Sequence, residues 1–196
     1  MNALTMPVTA WIRGIVDAWN RFWFTPSQPH TLALIRILGG AMLFYTHAVW
    51  SLNLTGFLGR DAWLNVEAAS LLNRSPSGQN FAFSYLYWIN SPVALWVLHL
   101  AALVVFALLT VGLFTRTVAP LAWFITLSYC HRLNGTLFGP DQINAFIATY
   151  LMLGNSGGVW SVDRWLAGRR GDLQPTQATI GTNIATRLLQ LQDRKS

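Results

Sequence analysis

Charge is scarce in this sequence. Of its 196 residues only 10% are charged, against 53% hydrophobic, and mean hydropathy is +0.39. Water-soluble domains carry about 25% charged residues, so the composition argues against a soluble globule. Cysteine occurs once, at Cys130, which excludes an internal disulfide framework, a CxxC redox pair and a multi-cysteine metal or iron–sulfur site. Lysine also occurs once, at Lys195. There is no glycine-rich phosphate loop, no nucleophile elbow, no HExxH and no obvious internal repeat. The net charge of +6 does not signal nucleic acid, because the arginines are scattered at the ends of apolar runs. That is the pattern of a chain oriented in a bilayer, and no nucleic-acid partner is expected.

What is present is a series of apolar helices. Met1–Pro7 lacks the basic start of a signal peptide. Val8–Phe24 predicts an amphipathic helix: Val8, Trp11, Ile12, Ile15, Val16, Trp19, Phe22 and Trp23 share one face, and Arg13, Asp17, Asn20 and Arg21 the other. Its tryptophans and arginines suit the headgroup boundary, and Pro26 and Pro29 end it. Leu32–Leu54 is a first span, interrupted by Arg36 and His47, and Pro92–Phe114 a second, with His99 as its sole ionisable group. After the tight Thr115–Thr117 turn, Val118–Leu133 predicts a third helix with Pro120 in its first turn. Gly139-Pro140-Asp141 reads as a stop followed by an N-cap, opening a fourth helix that Gly154 closes.

Length leaves the fourth helix open between spanning and re-entrant, and charge decides it. With the N-terminus inside and four crossings, the inner side holds Arg13, Arg21, Arg36, Arg116, Arg164, Arg169, Arg170, Arg187, Arg194 and Lys195. The outer side holds Arg60, Arg74 and Arg132. Positive charge collects on cytoplasmic flanks, so both termini are expected inside, in the inner (cytoplasmic) membrane of a bacterium. The fold class expected is all-α: an integral membrane bundle of about four transmembrane helices plus the N-terminal interfacial helix. The organisation is 1–30 interfacial helix and linker, 31–167 bundle, and 168–196 a basic cytoplasmic tail. The external connection 55–91 predicts a short surface helix around Val66–Leu72, a break at Ser75–Gly78 and an aromatic belt over Phe81–Ile89. Gly168–Pro175 reads as a loop and Ile180–Gln192 as a helix. Asn53-Leu54-Thr55 and Asn134-Gly135-Thr136 match a glycosylation sequon, a pattern frequent by chance.

Polar groups at membrane depth are the candidate site residues. Arg36, one turn inside the first span, is either a snorkelling anchor or half of a structural ion pair with Asp163. His47, His99, His131, Arg132, Asp141 and Asn144 converge on the outer half of the bundle. Either they form a proton-handling or ligand pocket, or they are interhelical hydrogen bonds with an Arg132–Asp141 tether. His131 and Asp141 are the catalytic candidates, and His47, His99, Arg132 and Asn144 the ligand-binding ones. Three histidines on three helices are too weak a signal for a metal, and no metal site is assigned.

Several short motifs occur in order. Phe24-Thr25-Pro26 precedes Leu32-Ala33-Leu34-Ile35-Arg36-Ile37-Leu38-Gly39-Gly40. Gly112-Leu113-Phe114-Thr115-Arg116, Phe138-Gly139-Pro140-Asp141 and Trp160-Ser161-Val162-Asp163-Arg164-Trp165-Leu166 follow. Over roughly residues 22–166 this resembles the horizontally transferred transmembrane (HTTM) domain, the membrane part shared with vitamin K-dependent gamma-glutamyl carboxylase. The resemblance implies the first half of that bundle, a partial or truncated member, with Asn183–Gln190 similar to the approach to a further helix. The family's carboxylase uses a lysine base near its third span; here Leu127–Asn134 offers Ser128, Tyr129, Cys130, His131, Arg132 and Asn134 instead. Arginine cannot serve as that base, so carboxylation is not expected. The expectation is a non-carboxylating relative that binds a lipophilic, quinone-like molecule beneath the aromatic rim. The alternative is a structural or assembly subunit with a protein partner or a second copy. Membrane lipid is the common partner of both.

Overall fold

The computed structural model describes residues 8–25, 29–73, 83–134, 137, 139–171 and 179–193. Among these residues all regular structure is helical. The order is α1 (Val8–Phe24), α2 (Pro29–Trp50), α3 (Leu54–Leu58), α4 (Val66–Leu72), α5 (Pro92–Val111), α6 (Thr115–Arg132), α7 (Gly139–Leu153), α8 (Val162–Arg170) and α9 (Ile180–Asp193). Tight 3-10 turns occupy Ser51–Asn53, which joins α2 to α3, and Tyr85–Trp88. The Ser75–Gly78 break, Arg74, Phe81, Phe138, the 172–175 half of the expected 168–175 loop, Arg194 and Lys195 lie outside the described residues.

Two stretches, Pro29–Leu58 and Pro92–Val111, are long and apolar enough to cross a membrane. At about 1.5 Å per residue, the 20 residues of α5 reach roughly 30 Å, the thickness of a hydrocarbon core. Helices α6 and α7 have 18 and 15 residues. Helix α2 packs on α5, α5 on α6, α6 on α7 and α7 back on α2, closing a four-helix ring. Leu32, Leu43, Phe106, Leu109, Ala122, Ala148 and Leu151 fill its centre. Gly40 allows the closest approach of α2 to α5: a Cβ there would lie 3.0 Å from Thr110 Cα. The outward faces are apolar too, with Leu34, Leu38 and Tyr45 exposed on α2 and Val93, Val97 and Val104 on α5. Apolar side chains all round a helix are the mark of a hydrophobic surrounding.

Helix α1 has the expected bounds, and its apolar face, including Trp11 and Trp19, is exposed. It touches the rest of the molecule through α9, where Arg187 lies over the Phe22 ring at 5.1 Å. Helix α4 forms where the sequence places a surface helix, capped by Asn65 Oδ1, which accepts from Ala68 N at 2.8 Å. Pro29 opens α2 rather than closing α1.

Other boundaries differ from expectation. The second span ends at Val111, because Gly112 turns left-handed at φ +74°. Its N–H and that of Leu113 bond back to Leu109 and Leu108 in a Schellman arrangement. Helix α6 then starts at Thr115, three residues early, so Pro120 lies inside the helix instead of in its first turn. Pro120 is exposed, which leaves the bond it denies Arg116's carbonyl on the outer face. Helix α7 begins at Gly139, so Asp141 sits in its first turn instead of capping it, still beside the positive end of the helix. Helix α8 runs through Arg170 into the expected loop. Rather than trailing as a tail, α9 packs on α7, α2 and α1, burying Thr182, Asn183, Ala185 and Thr186.

Candidate functional site

Polar side chains are buried at both ends of the ring. At one end lies Arg36, with no exposed surface. Its Nη1 donates to the carbonyls of Leu109 and Thr110, both at 2.9 Å, its Nε to Ser156 O at 3.1 Å and its Nη2 to Trp160 O at 2.6 Å. Leu109 and Thr110 belong to the last turn of α5, where the Thr110 carbonyl lacks a helical partner, the Leu109 carbonyl has only the Gly112 N–H, and the dipole is negative. Arg36 is thus a buried cationic cap, reaching across from α2. Gly112 is required twice over, by its positive φ and because a Cβ there would collide with Arg36 Nη1.

Asp163 does the converse for α6. Its carboxylate accepts from the N–H groups of Phe114 and Thr115, both at 2.8 Å, and from Thr115 Oγ1 at 3.0 Å. This holds Phe114, left-handed at φ +50°, as the N-cap. The expected direct ion pair between Arg36 and Asp163 is therefore corrected. Each charge is spent on a helix terminus, and the carboxylate acts on the guanidinium only through space. The physical reason is local: adjacent helix ends offer orphan carbonyls to one and orphan N–H groups to the other. Ser161 completes the knot, accepting from Arg164 N at 3.1 Å to cap α8.

At the opposite end the structure brings His47 and His99 together, with ring centroids 6.5 Å apart. Both ring nitrogens of His99 are satisfied, Nδ1 by the Tyr129 hydroxyl at 2.8 Å and Nε2 by Ser51 Oγ at 2.9 Å. The result is a chain of three polar groups, Ser51–His99–Tyr129. Burial pushes the hydroxyl of Tyr85, on the neighbouring 3-10 turn, up to about 12. His47 differs. Its Nδ1 lies 2.8 Å from Leu43 O, which can only accept, so Nδ1 carries the hydrogen. Nε2 is left as a bare lone pair without a partner, walled by Phe106, Tyr129 and Trp50 at 4.3, 4.7 and 4.8 Å between ring centroids.

A second face of α6 carries the stripe Phe124, Ser128, Arg132, four residues apart. The Phe83–Trp88 segment folds over it. Phe83 and Tyr85 each lie 5.8 Å from the Phe124 ring, Ser84 Oγ donates to Ser128 O at 2.7 Å, and Arg132 sits 5.9 Å over the Tyr87 ring. Arg132 has no exposed surface, yet Nε, Nη1 and Nη2 all lack a hydrogen-bond partner, as does the buried Ser128 Oγ one turn earlier. The expected Arg132–Asp141 tether is thus not formed. Cys130 faces α7, its Sγ 4.0 Å from Asp141 O, and residues two apart on a helix point about 200° apart. Arg132 is turned away from α7 by that geometry.

Of the remaining candidates, His131 bonds through Nδ1 to Phe83 O at 2.9 Å, apart from the His47–His99 pair. Asn144 is buried on α7, the side of α6 that Cys130 faces. A cavity of about 480 Å³ between Asn53, Arg60, Asn90 and Leu95 includes none of the expected ligand-binding residues. Among the described residues no group of three His, Cys, Asp or Glu side chains is placed to hold a metal ion. Ser51, Tyr85, Tyr129 and Ser128 were not singled out from sequence as site residues. The spacing of Ser128 to Arg132 on an apolar helix was the signal available for one of them.

Fold and site define an all-helical protein with two helices suited to a membrane and buried polar clusters at both ends of its ring. Comparison with protein-family models, with curated proteins and with solved structures finds no match to this chain.

Proposed function

We propose that this chain is an integral membrane protein that crosses four times, through α2, α5, α6 and α7, and binds a lipophilic, quinone-like molecule between α6 and the Phe83–Trp88 segment. The observation that carries the reading is Arg132. A guanidinium has five N–H donors, and burying them with no acceptor is costly enough that a native site supplies one. The seam between α6 and the Phe83–Trp88 segment is amphipathic in the sense such a ligand needs. Phe83, Tyr85 and Phe124 offer aromatic surface at one end, and Ser128 and Arg132 offer donors for ring oxygens at the other. Closure of α6 and α7 onto two membrane-length helices supports the four crossings, as does the ten-to-three split of basic residues.

We read the chain as a relative of the N-terminal part of the HTTM bundle, without carboxylase chemistry. Arg36, Gly112–Thr115 and Trp160–Asp163, which carry that resemblance, meet in one knot, which supports treating them as a unit. The lysine base of the family's enzyme has no counterpart in Leu127–Asn134.

Photo-crosslinking tests the ligand. An isoprenoid benzoquinone probe is expected to label the protein more strongly than a photoreactive alkyl lipid, on peptides of α6 and residues 83–88. Arg132→Met should reduce the quinone labelling about tenfold, as loss of a charged hydrogen bond does. The same substitution should leave the melting temperature unchanged or higher, because it removes an uncompensated buried charge. Quinone labelling no stronger than alkyl-lipid labelling would overturn the proposal.

A further inference from the structure

The end of the ring that holds the Arg36 knot also holds a cavity of about 520 Å³, between the start of α6, the end of α7 and the start of α9. Its polar wall is Thr115, Arg116, Asn155, Ser156 and Thr179; its apolar wall includes Ala119 and Leu151. Two independent observations mark it as a ligand site. Ser156 is 1% exposed and its Oγ has no partner. Arg116 makes no ion pair or hydrogen bond with the described residues, although Asp163 sits on the adjoining Thr115. The cavity also reaches the first turn of the 18-residue α6, whose cap is taken by the Asp163 carboxylate. Asp163 accepts from Phe114 N and Thr115 N, and Thr117 N bonds to Phe114 O, so the N–H of Arg116 is the donor left over in that first turn.

We propose that this cavity binds the phosphate of an amphiphile, with Arg116 as counter-charge, Ser156 and Thr179 as hydroxyl donors and Asn155 as amide donor. The phosphate fits because the polar wall is rich in donors with a single positive charge. An acyl chain fits because Ala119 and Leu151 continue the wall toward the apolar body of the bundle. The chemistry shared by a lipid headgroup and free phosphate is the tetrahedral oxyanion, and the size of the apolar wall favours the lipid. The placement of this site at the cytoplasmic surface rests on the four-crossing reading. Binding measured in detergent does not depend on sidedness, so failure of one leaves the other standing.

The test is isothermal titration of the full chain in a maltoside detergent with dioctanoyl phosphatidic acid, dioctanoylglycerol and inorganic phosphate. Phosphatidic acid is expected to bind, with dioctanoylglycerol and inorganic phosphate each at least about tenfold weaker. Arg116→Gln, at an exposed position that should not disturb folding, is expected to weaken phosphatidic acid about tenfold or more. Ser156→Ala should weaken it several-fold, and Arg60→Gln should leave it unchanged. Inorganic phosphate binding as tightly as phosphatidic acid would overturn the lipid in favour of the free anion. Equal binding of dioctanoylglycerol, or an Arg116→Gln variant that binds like the parent, would overturn the site.

Discussion

Replacing Arg36 by leucine removes four hydrogen bonds at once; it leaves the carbonyls of Thr110, Ser156 and Trp160 without their donor and that of Leu109 with only the Gly112 N–H. A buried acceptor stripped of its partner costs about 1–3 kcal/mol. Two of these bonds are fully buried and two partly so, which puts the loss at roughly 3–8 kcal/mol. That is a large share of the about 5–15 kcal/mol that holds a typical domain together. Arg36→Lys should recover part of it, since an ammonium has three donors in place of five. Asp163→Asn is milder: one acceptor oxygen survives, and losing an anionic cap costs about 1–2 kcal/mol.

Intrinsic fluorescence, from ten tryptophans, reports thermal unfolding in detergent. The expected order of melting temperature is parent and Arg60→Leu alike, Asp163→Asn somewhat lower, and Arg36→Leu far lower or not recoverable as folded protein. If Arg36→Leu does not fold, Arg36→Lys takes its place in a double-mutant cycle with Asp163→Asn. The coupling expected is about 1 kcal/mol or less, because the two charges meet only through space, against the 3–5 kcal/mol lost on breaking a direct buried pair. Equal losses from Arg36→Leu and Asp163→Asn, with coupling of several kcal/mol, would refute the assignment of each charge to its own helix end.

Gly112→Ala and Gly171→Ala both place a side chain at positive φ, yet only the first meets a neighbour, Arg36. Gly171→Ala should cost about 1 kcal/mol and Gly112→Ala at least twice that in the same unfolding assay; equal costs would refute the contact. The neutral Tyr85 hydroxyl stabilises the fold fully below pH about 10, and this contribution is lost as pH rises toward about 12. Tyr85→Phe should flatten the fall of melting temperature over that window, and an unchanged slope would count against burial of the hydroxyl. In a Cys130→Ala background, Leu52→Cys should react with an impermeant maleimide on intact cells and Arg170→Cys should not. Both positions are exposed, so reaction at Arg170→Cys would refute the four-crossing topology.

How far the sequence reveals the fold depends on whether its signals are local. Helix α5 is legible to within three residues because Ser91 and Pro92 open it, Gly112 closes it, and everything between is apolar but for His99 and Thr110. The start of α6 is not legible, since its cap is a left-handed phenylalanine held by a carboxylate 49 residues away. Helix α9 reads as a tail because the face it buries carries Thr182, Asn183 and Thr186, which an apolar pattern does not count. In the site, the pairing of His47 with His99 follows from their common depth on adjacent spans. The direction of Arg132 does not, because helical periodicity separates it from Cys130 but cannot say which of the two faces α7. Ser51 and Tyr85 lie on short turns whose positions only the assembled bundle fixes.

The acceptors of Arg36 include Ser156 and Trp160, 120 and 124 residues further along the chain. A ribosome adding about 5–20 residues per second takes roughly 6–25 s to cover that distance. For all that time Arg36 has at most the Leu109 and Thr110 carbonyls, 73 and 74 residues further on, as partners. The remaining donors of the guanidinium must stay with water or a temporary acceptor until the second half of the chain arrives. Completion of the early part of this protein is therefore scheduled by the late part, and a chain interrupted before residue 156 would leave Arg36 two acceptors of its four.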